Sequence, residues 1–232
     1  MSRLSVPCLC LVTDRRLVAA GARTPAAALL AFERWLDEAL DADVDLIQIR
    51  ERDLEARALL DLAARLVSRR ADRRPRILIN DRADIALAAG ADGVHLRSDG
   101  PPVVSVRSLG GAGFIIGRSI HSDREAREHD AADYLLFGTV FPGGSKGSDR
   151  GQTPPAQGTE ALARTALASR APVLAIGGVT PDRVPSVREA GAAGVAAIGV
   201  FLPEGRLPGA LGPVRAAAAL RAALTQAETP NF

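Results

Sequence analysis

Val173-Leu-Ala-Ile-Gly-Gly-Val179 and Gly194-Val-Ala-Ala-Ile-Gly-Val200 are the stretches whose reading decides the fold. Each is a short apolar run that gives way to glycine. Runs of this kind suit strands covered on both faces, as in a parallel sheet. Glycine tolerates positive φ and lets a ligand come close to the backbone. Free N–H groups beside a helix start favour an anion. Thr180-Pro181-Asp182, just past the first stretch, reads as an N-cap with proline at the first helical position, and Gly191 reads as the stop of that helix. In an eight-stranded α/β barrel the loops after strands 7 and 8 frequently bind phosphate. Gly177, Gly178, Gly199 and Val200 are therefore phosphate-binding candidates, provided six more strand–helix units precede them.

The preceding chain supplies those units. Cys8–Thr13, Val44–Ile49, Arg76–Asn80, Gly93–Leu96, Phe114–Gly117 and Tyr134–Val140 read as strands, with Pro172–Ile176 and Val195–Gly199 as the last two. Helical patterns such as Pro25–Asp41, Leu54–Arg70, Arg82–Ala89, Ser122–Asp130 and Thr159–Ser169 lie between them. The alternation predicts one α/β domain over residues 1–232, a single (β/α)8 TIM barrel with an ordered core of 6–226. An open doubly wound sheet is the alternative. Pro142–Ala156, rich in Gly, Ser and Pro, is the longest irregular segment, a length usually tied to function or disorder.

Composition agrees with a barrel. Of the 232 residues 47% are hydrophobic but only 3% aromatic, so Ala, Val, Leu and Ile must fill the interior. A formal charge of +2 gives no basic field that would call for nucleic acid, and the Arg-rich stretch Arg65–Arg76 reads as solvated surface. Cys8 and Cys10, the only cysteines, share one face of a strand and cannot easily bridge each other. With no disulfide framework, leader or membrane span in view, the expectation is a soluble, cytoplasmic protein.

The polar candidates gather at C-terminal strand ends, where barrel enzymes place their sites. Gln48 and Arg50 share a face after the second strand, next to Glu51 and Arg52; Gln48, Arg50 and Glu51 could instead form an ion-pair belt at the barrel rim. Asn80-Asp81 follows the third and could instead cap the next helix. Gly117-Arg-Ser-Ile-His121 follows the fifth, which brings Ser119 and His121 to the mouth. Lys146 lies in the loop after the sixth. His95, within strand 4, reads as a packed barrel residue and His129 as a surface residue on a helix.

Taken in order, Gln48-Ile-Arg-Glu-Arg52, Ile79-Asn-Asp-Arg-Ala-Asp-Ile85, Gly90-Ala-Asp-Gly-Val-His-Leu96, Gly117-Arg-Ser-Ile-His121, Ala132-Asp-Tyr-Leu-Leu-Phe-Gly138 and Ala175-Ile-Gly-Gly-Val-Thr180 resemble the thiamine-phosphate synthase superfamily over nearly the whole chain. The resemblance implies one of two reactions. A synthase joins an aminopyrimidine diphosphate to a thiazole phosphate using Mg2+. A thiazole tautomerase aromatises the carboxylated thiazole phosphate by moving a proton. Three departures touch the diphosphate and metal apparatus. Arg52 stands where the synthase pattern has lysine. Gly100 stands at the second magnesium aspartate, with Asp99 one position early. Gly143-Gly-Ser-Lys146 replaces a Thr-x-Thr-Lys pattern.

The resemblance, so modified, points to the tautomerase. His121 would move the proton, and Gln48, Arg50, Arg52, Asn80, Ser119 and Lys146 would bind the substrate. No cofactor is then expected, the partner is a small phosphorylated thiazole, and a homodimer is compatible with the family. The alternative is the synthase, with Mg2+ on Asp81. The third reading is a non-catalytic thiazole-phosphate-binding regulatory protein.

Overall fold

The computed structural model describes residues 4–70, 74–143 and 155–226. Eight parallel strands close into a barrel in sequence order, β8 pairing with β1. They are β1 (Cys8–Val12), β2 (Leu46–Ile49), β3 (Arg76–Asn80), β4 (Gly93–Leu96), β5 (Ile115–Ile120), β6 (Tyr134–Phe137), β7 (Val173–Ile176) and β8 (Gly194–Ala197). Around them run α1 (Arg15–Val18), α2 (Pro25–Asp41), α3 (Ala56–Arg69), α4 (Ala83–Ala88), α5 (Val103–Gly110), α6 (Asp123–Glu128), α7 (Gly158–Ala168), α8 (Val184–Glu189) and α9 (Pro213–Gln226). This is the (β/α)8 barrel expected from the alternation of apolar runs and helical patterns.

Strand parity separates two cores. Cys8, Cys10, Leu46, Leu78, Ile115, Tyr134, Leu174 and Ala196 fill the barrel interior. Leu9, Leu11, Ile47, Ile77, Val94, Ile116 and Val195 alternate with them and pack outward against the helices. Both cysteines are free and buried, as same-face residues of one strand must be.

A repeated clasp closes the N-terminal end of the barrel. Asp45, Asp92 and Asp133 stand just before β2, β4 and β6. Each accepts a backbone N–H from a neighbouring strand: Leu9 N at 2.8 Å, Ile77 N at 2.7 Å and Ile116 N at 2.7 Å. Each also meets an arginine: Arg221, Arg70 and Arg107 respectively. A partly buried carboxylate that accepts an N–H and faces a guanidinium makes strong, charge-assisted bonds. An aspartate just before a strand is thus a structural weld, repeated three times around the barrel.

Several boundaries differ from the sequence reading. The fifth strand starts at Ile115 and runs through to Ile120 instead of stopping at Gly117, so Arg118 and Ser119 are strand residues on opposite faces. The sixth ends at Phe137, short of Val140. Thr180 is extended and precedes proline, but its side chain makes no capping bond, and Pro181–Arg183 is a 3₁₀ turn before α8. Neither Asn80 nor Asp81 caps α4, whose N-cap position is Arg82, without a side-chain bond. By contrast Ser122 does cap α6, its hydroxyl accepting from Glu125 N at 3.2 Å.

Candidate active site at the C-terminal mouth

The glycines after β7 and β8 come together around a cavity of about 490 Å³, lined among others by Gly177, Gly178, Thr180, Arg183, Gly199 and Val200. Gly177 and Gly178 both have positive φ, +102° and +61°. A Cβ on Gly177 would lie 2.6 Å from Thr139 Cγ2, and one on Gly178 would lie 2.5 Å from the Pro142 carbonyl. Only glycine fits this close approach of two loop stems. Gly199 and Val200 open a 3₁₀ turn, Gly199–Phe201, so their N–H groups have no partner within it. Trp35 of α2 fixes that turn by donating its indole N–H to the Phe201 carbonyl at 2.8 Å.

Arg183 escaped the sequence reading. It donates to the Gly178 carbonyl at 2.6 Å and lies 5.0 Å over the Phe141 ring, tying the stem after β6 to the glycine pair. A conspicuous pairing of aromatic and arginine is invisible when the two are 42 residues apart in sequence.

The other half of the mouth carries the titratable and amide groups. Gln48 is buried and donates from Nε2 to Asn80 Oδ1 at 2.9 Å, while its Oε1 is buried without a partner among the described residues. Such an orphaned acceptor suits a ligand that brings a donor. Arg50 follows β2, its N–H donating to Thr13 Oγ1 at 3.0 Å, and Arg52 is exposed beyond it. Ser119 points inward and bonds to His95 Nε2 at 2.8 Å. His95 is buried as expected for a packed residue, but it also bonds Tyr134 Oη at 2.9 Å, which links the interior to the candidate serine.

His121 stands directly after β5 and is exposed. Its Nδ1 lies 2.8 Å from the Gly138 carbonyl. A carbonyl can only accept, so Nδ1 carries a proton, and in the neutral imidazole Nε2 is the nitrogen with the free lone pair. The backbone N–H of His121 donates to Glu125 Oε2 at 2.7 Å, which helps to hold the residue at the start of α6. Lys146 lies outside the described residues. The structure therefore gathers Gln48, Asn80 and Ser119 inside the mouth and sets the four phosphate candidates in one cavity beside it.

Glu51 is not part of an exposed ion-pair belt. It is buried, accepting the Thr13 hydroxyl at 2.5 Å and the Arg15 N–H at 3.1 Å. Burial pushes its carboxyl up to about 7, against the opposing pull of those hydrogen bonds.

The metal implied by the resemblance was tested against the donor set. Asp81, with φ +64°, is the only non-glycine residue of positive φ among the described residues. Its Oδ2 lies 2.6 Å from Arg97 Nε, and the same Nε lies 3.5 Å from Asp99 Oδ1. Among the described residues no three His, Cys, Asp or Glu side chains are grouped to hold a metal ion. A hard divalent cation needs several oxygen ligands, and the oxygens here already face a guanidinium. Among the described residues, Asp81 and Asp99 are both turned to Arg97 and do not by themselves make a Mg2+ site.

Residues 9–201 match the profile of the family described as thiamine monophosphate synthase. The thiamine-phosphate synthase of Syntrophomonas wolfei is 37% identical over 203 residues, 87% of this chain and 91% of that protein. That of Chlorobium luteolum is 44% identical over 162 residues, 69% of this chain and 74% of that protein. Among solved structures, the thiamine phosphate pyrophosphorylase from Pyrococcus furiosus superposes with a TM-score of 0.73 at 27% identity, covering 98% of each chain. A 3-hexulose-6-phosphate synthase, at 21% identity and TM-score 0.61, shares the fold. The names of these relatives favour the synthase over the isomerase expected from the sequence.

Proposed function

We propose that this chain, an enzyme of thiamine biosynthesis that belongs to the thiamine monophosphate synthase family, acts as a thiazole tautomerase on a carboxylated thiazole phosphate. The observation that carries this reading is the fixed tautomer of His121, whose Nδ1–H is spent on Gly138 and whose Nε2 is available. In the proposed reaction Nε2 removes the ring proton beside the carboxylate. The electron pair of that C–H bond moves through the ring, and the exocyclic carbon takes a proton back from the imidazolium. One C–H bond breaks and one forms, with no net change in protons or electrons. A single positioned base serves both halves, and aromatisation drives the isomerisation.

Phosphate docking on the N–H groups around Gly177, Gly178, Gly199 and Val200 would set the ring across the mouth, with Arg50, Arg52 and Lys146 as counter-charges for the carboxylate. Gln48, Asn80 and Ser119 supply hydrogen bonds to the ring and its substituents. The reading is tested by converting the carboxythiazole phosphate with wild type and His121→Gln. Loss of about 10²-fold or more in kcat with phosphate affinity retained is expected. An unaltered rate removes His121 from the reaction.

The names of the relatives favour a second reading, transfer of the aminopyrimidine group to thiazole phosphate with loss of pyrophosphate. Thiamine phosphate formed from the two substrates and Mg2+, at a rate matching a competent synthase, would establish it in place of the tautomerase. Saturable thiazole phosphate binding with neither reaction would mark a binding protein.

A further inference from the structure

We propose that Arg97 is the resident cation of the Asp81 site, a guanidinium standing where a divalent metal would be held, so that this mouth carries a fixed positive charge and takes up no Mg2+. Asp81 leaves β3 in a left-handed conformation that residues other than glycine adopt less readily. That turn sets its carboxylate 2.6 Å from Arg97 Nε. Asp99 approaches the same nitrogen at 3.5 Å, so one cation lies between two carboxylates.

The geometry at position 100 shows what is missing. A Cβ on Gly100 would lie 3.6 Å from Asp81 Oδ1, closer to that carboxylate than to any other side chain within reach. A carboxylate built there would extend the Asp81 oxygens into a second ligand for a common ion. Glycine leaves the position without one.

Asp99 cannot move over to compensate, because the turn is pinned. Arg118, buried on the outer face of β5, donates to the Ser98 carbonyl at 2.7 Å, to Gly100 at 3.0 Å and to Pro101 at 2.7 Å. Sliding the turn by one residue would break all three bonds and strand a buried guanidinium, which is costly. Asp99 therefore keeps its exposed side chain toward solvent, 73% accessible.

A guanidinium and a divalent ion are not equivalent. The metal brings open coordination positions and is lost to chelators. Arginine offers directional N–H donors, keeps its charge at every working pH and stays in the chain. The inference concerns the cation site alone; it accords with a tautomerase, which needs no metal, and weighs against a synthase that holds Mg2+ on Asp81.

The experiment is Mn2+ titration of the full chain, read by electron paramagnetic resonance of the free ion. Three proteins are compared: wild type, Arg97→Gly/Gly100→Asp, and that double variant with Asp81→Asn added. Wild type should show no saturable site at concentrations up to about 1 mM, a range in which weak oxygen sites still fill. The double variant should take up one equivalent at least about tenfold more tightly, and Asp81→Asn should abolish the gain. A wild-type site lost on Asp81→Asn would overturn the proposal, as would a folded double variant that gains nothing. Should the double variant fail to fold, Arg97→Gln takes its place, since it leaves the turn backbone unchanged. A gain in Mn2+ uptake supports the proposal and no gain refutes it.

Discussion

The phenol of Tyr134 occupies the space that a side chain at Gly117 would need: a Cβ there would lie 2.1 Å from Tyr134 Cζ and 2.4 Å from its hydroxyl oxygen. The glycine on β5 thus makes room for the one tyrosine of the chain on β6, and the tyrosine in turn reaches His95 and, through it, Ser119. Gly117→Ala must push the ring out of the barrel axis. Overpacking of this kind costs about 1–3 kcal/mol, measurable as a lower urea midpoint with unchanged slope. A variant as stable as wild type would mean that the interior has slack at this level.

The buried carboxyl of Glu51 makes stability depend on pH in an unusual direction. Its pKa rises from 4.5 to about 7 on folding, so between those values the folded chain holds a proton that the unfolded chain has released. The stabilisation is complete below pH 4.5 and is lost as the pH climbs through 7, up to about 3 kcal/mol in all. Glu51→Gln should flatten that part of the curve. Parallel urea melts of the two proteins at intervals from pH 4.5 to 8 read the difference directly, and coincident slopes would show that Glu51 stays ionised.

Trp35 holds the turn that carries Gly199 and Val200, although it sits on α2, far from those residues in sequence. Trp35→Phe deletes the indole donor and leaves the Phe201 carbonyl unpaired, a loss of about 1–3 kcal/mol. The expected kinetic signature is a higher KM for the phosphorylated substrate with kcat retained. A fall in kcat alone would place the effect elsewhere.

Gly178→Ala combines a positive-φ position with a clash against the Pro142 carbonyl. The backbone penalty is about 1–2 kcal/mol, and the cradle must deform to accept the methyl. Inorganic phosphate affinity, followed by calorimetry, should drop about tenfold or more for a shift of 1.4 kcal/mol. Retained affinity would move the anion site away from this glycine pair.

The barrel could be read from the sequence because each strand is a run of four to six residues with apolar character on both faces, punctuated by Asp or Gly at one end and polar groups at the other. Gln48 was legible from strand parity, whereas Asn80 and Ser119 were read from their places at strand ends and from the family resemblance. Partners separated by a turn did not follow. Gly117 read as a strand end, which concealed that Arg118 lies between Ile116 and Ile120 on the outer face and braces the turn after β4. Arg97 drew no reading, because its meeting with Asp81 depends on a positive φ that no local pattern demands of an aspartate. Glu51 read as a rim charge, since burial at a strand end depends on Thr13 and Arg15, 38 and 36 residues away.

Arg221, on α9, pairs with Asp45 at 3.0 Å and donates to the carbonyls of Asp43 and Pro7. The clasp before β2 is therefore completed by a side chain from α9, far along the chain from Asp45. Closing the barrel at β1 needs β8 as well as α9, and until β8 pairs, β1 has an open strand edge of the kind that invites foreign pairing. A truncation before α9, though it spares every residue of the mouth, removes the Arg221–Asp45 pair and with it one of the three welds at the far end of the barrel.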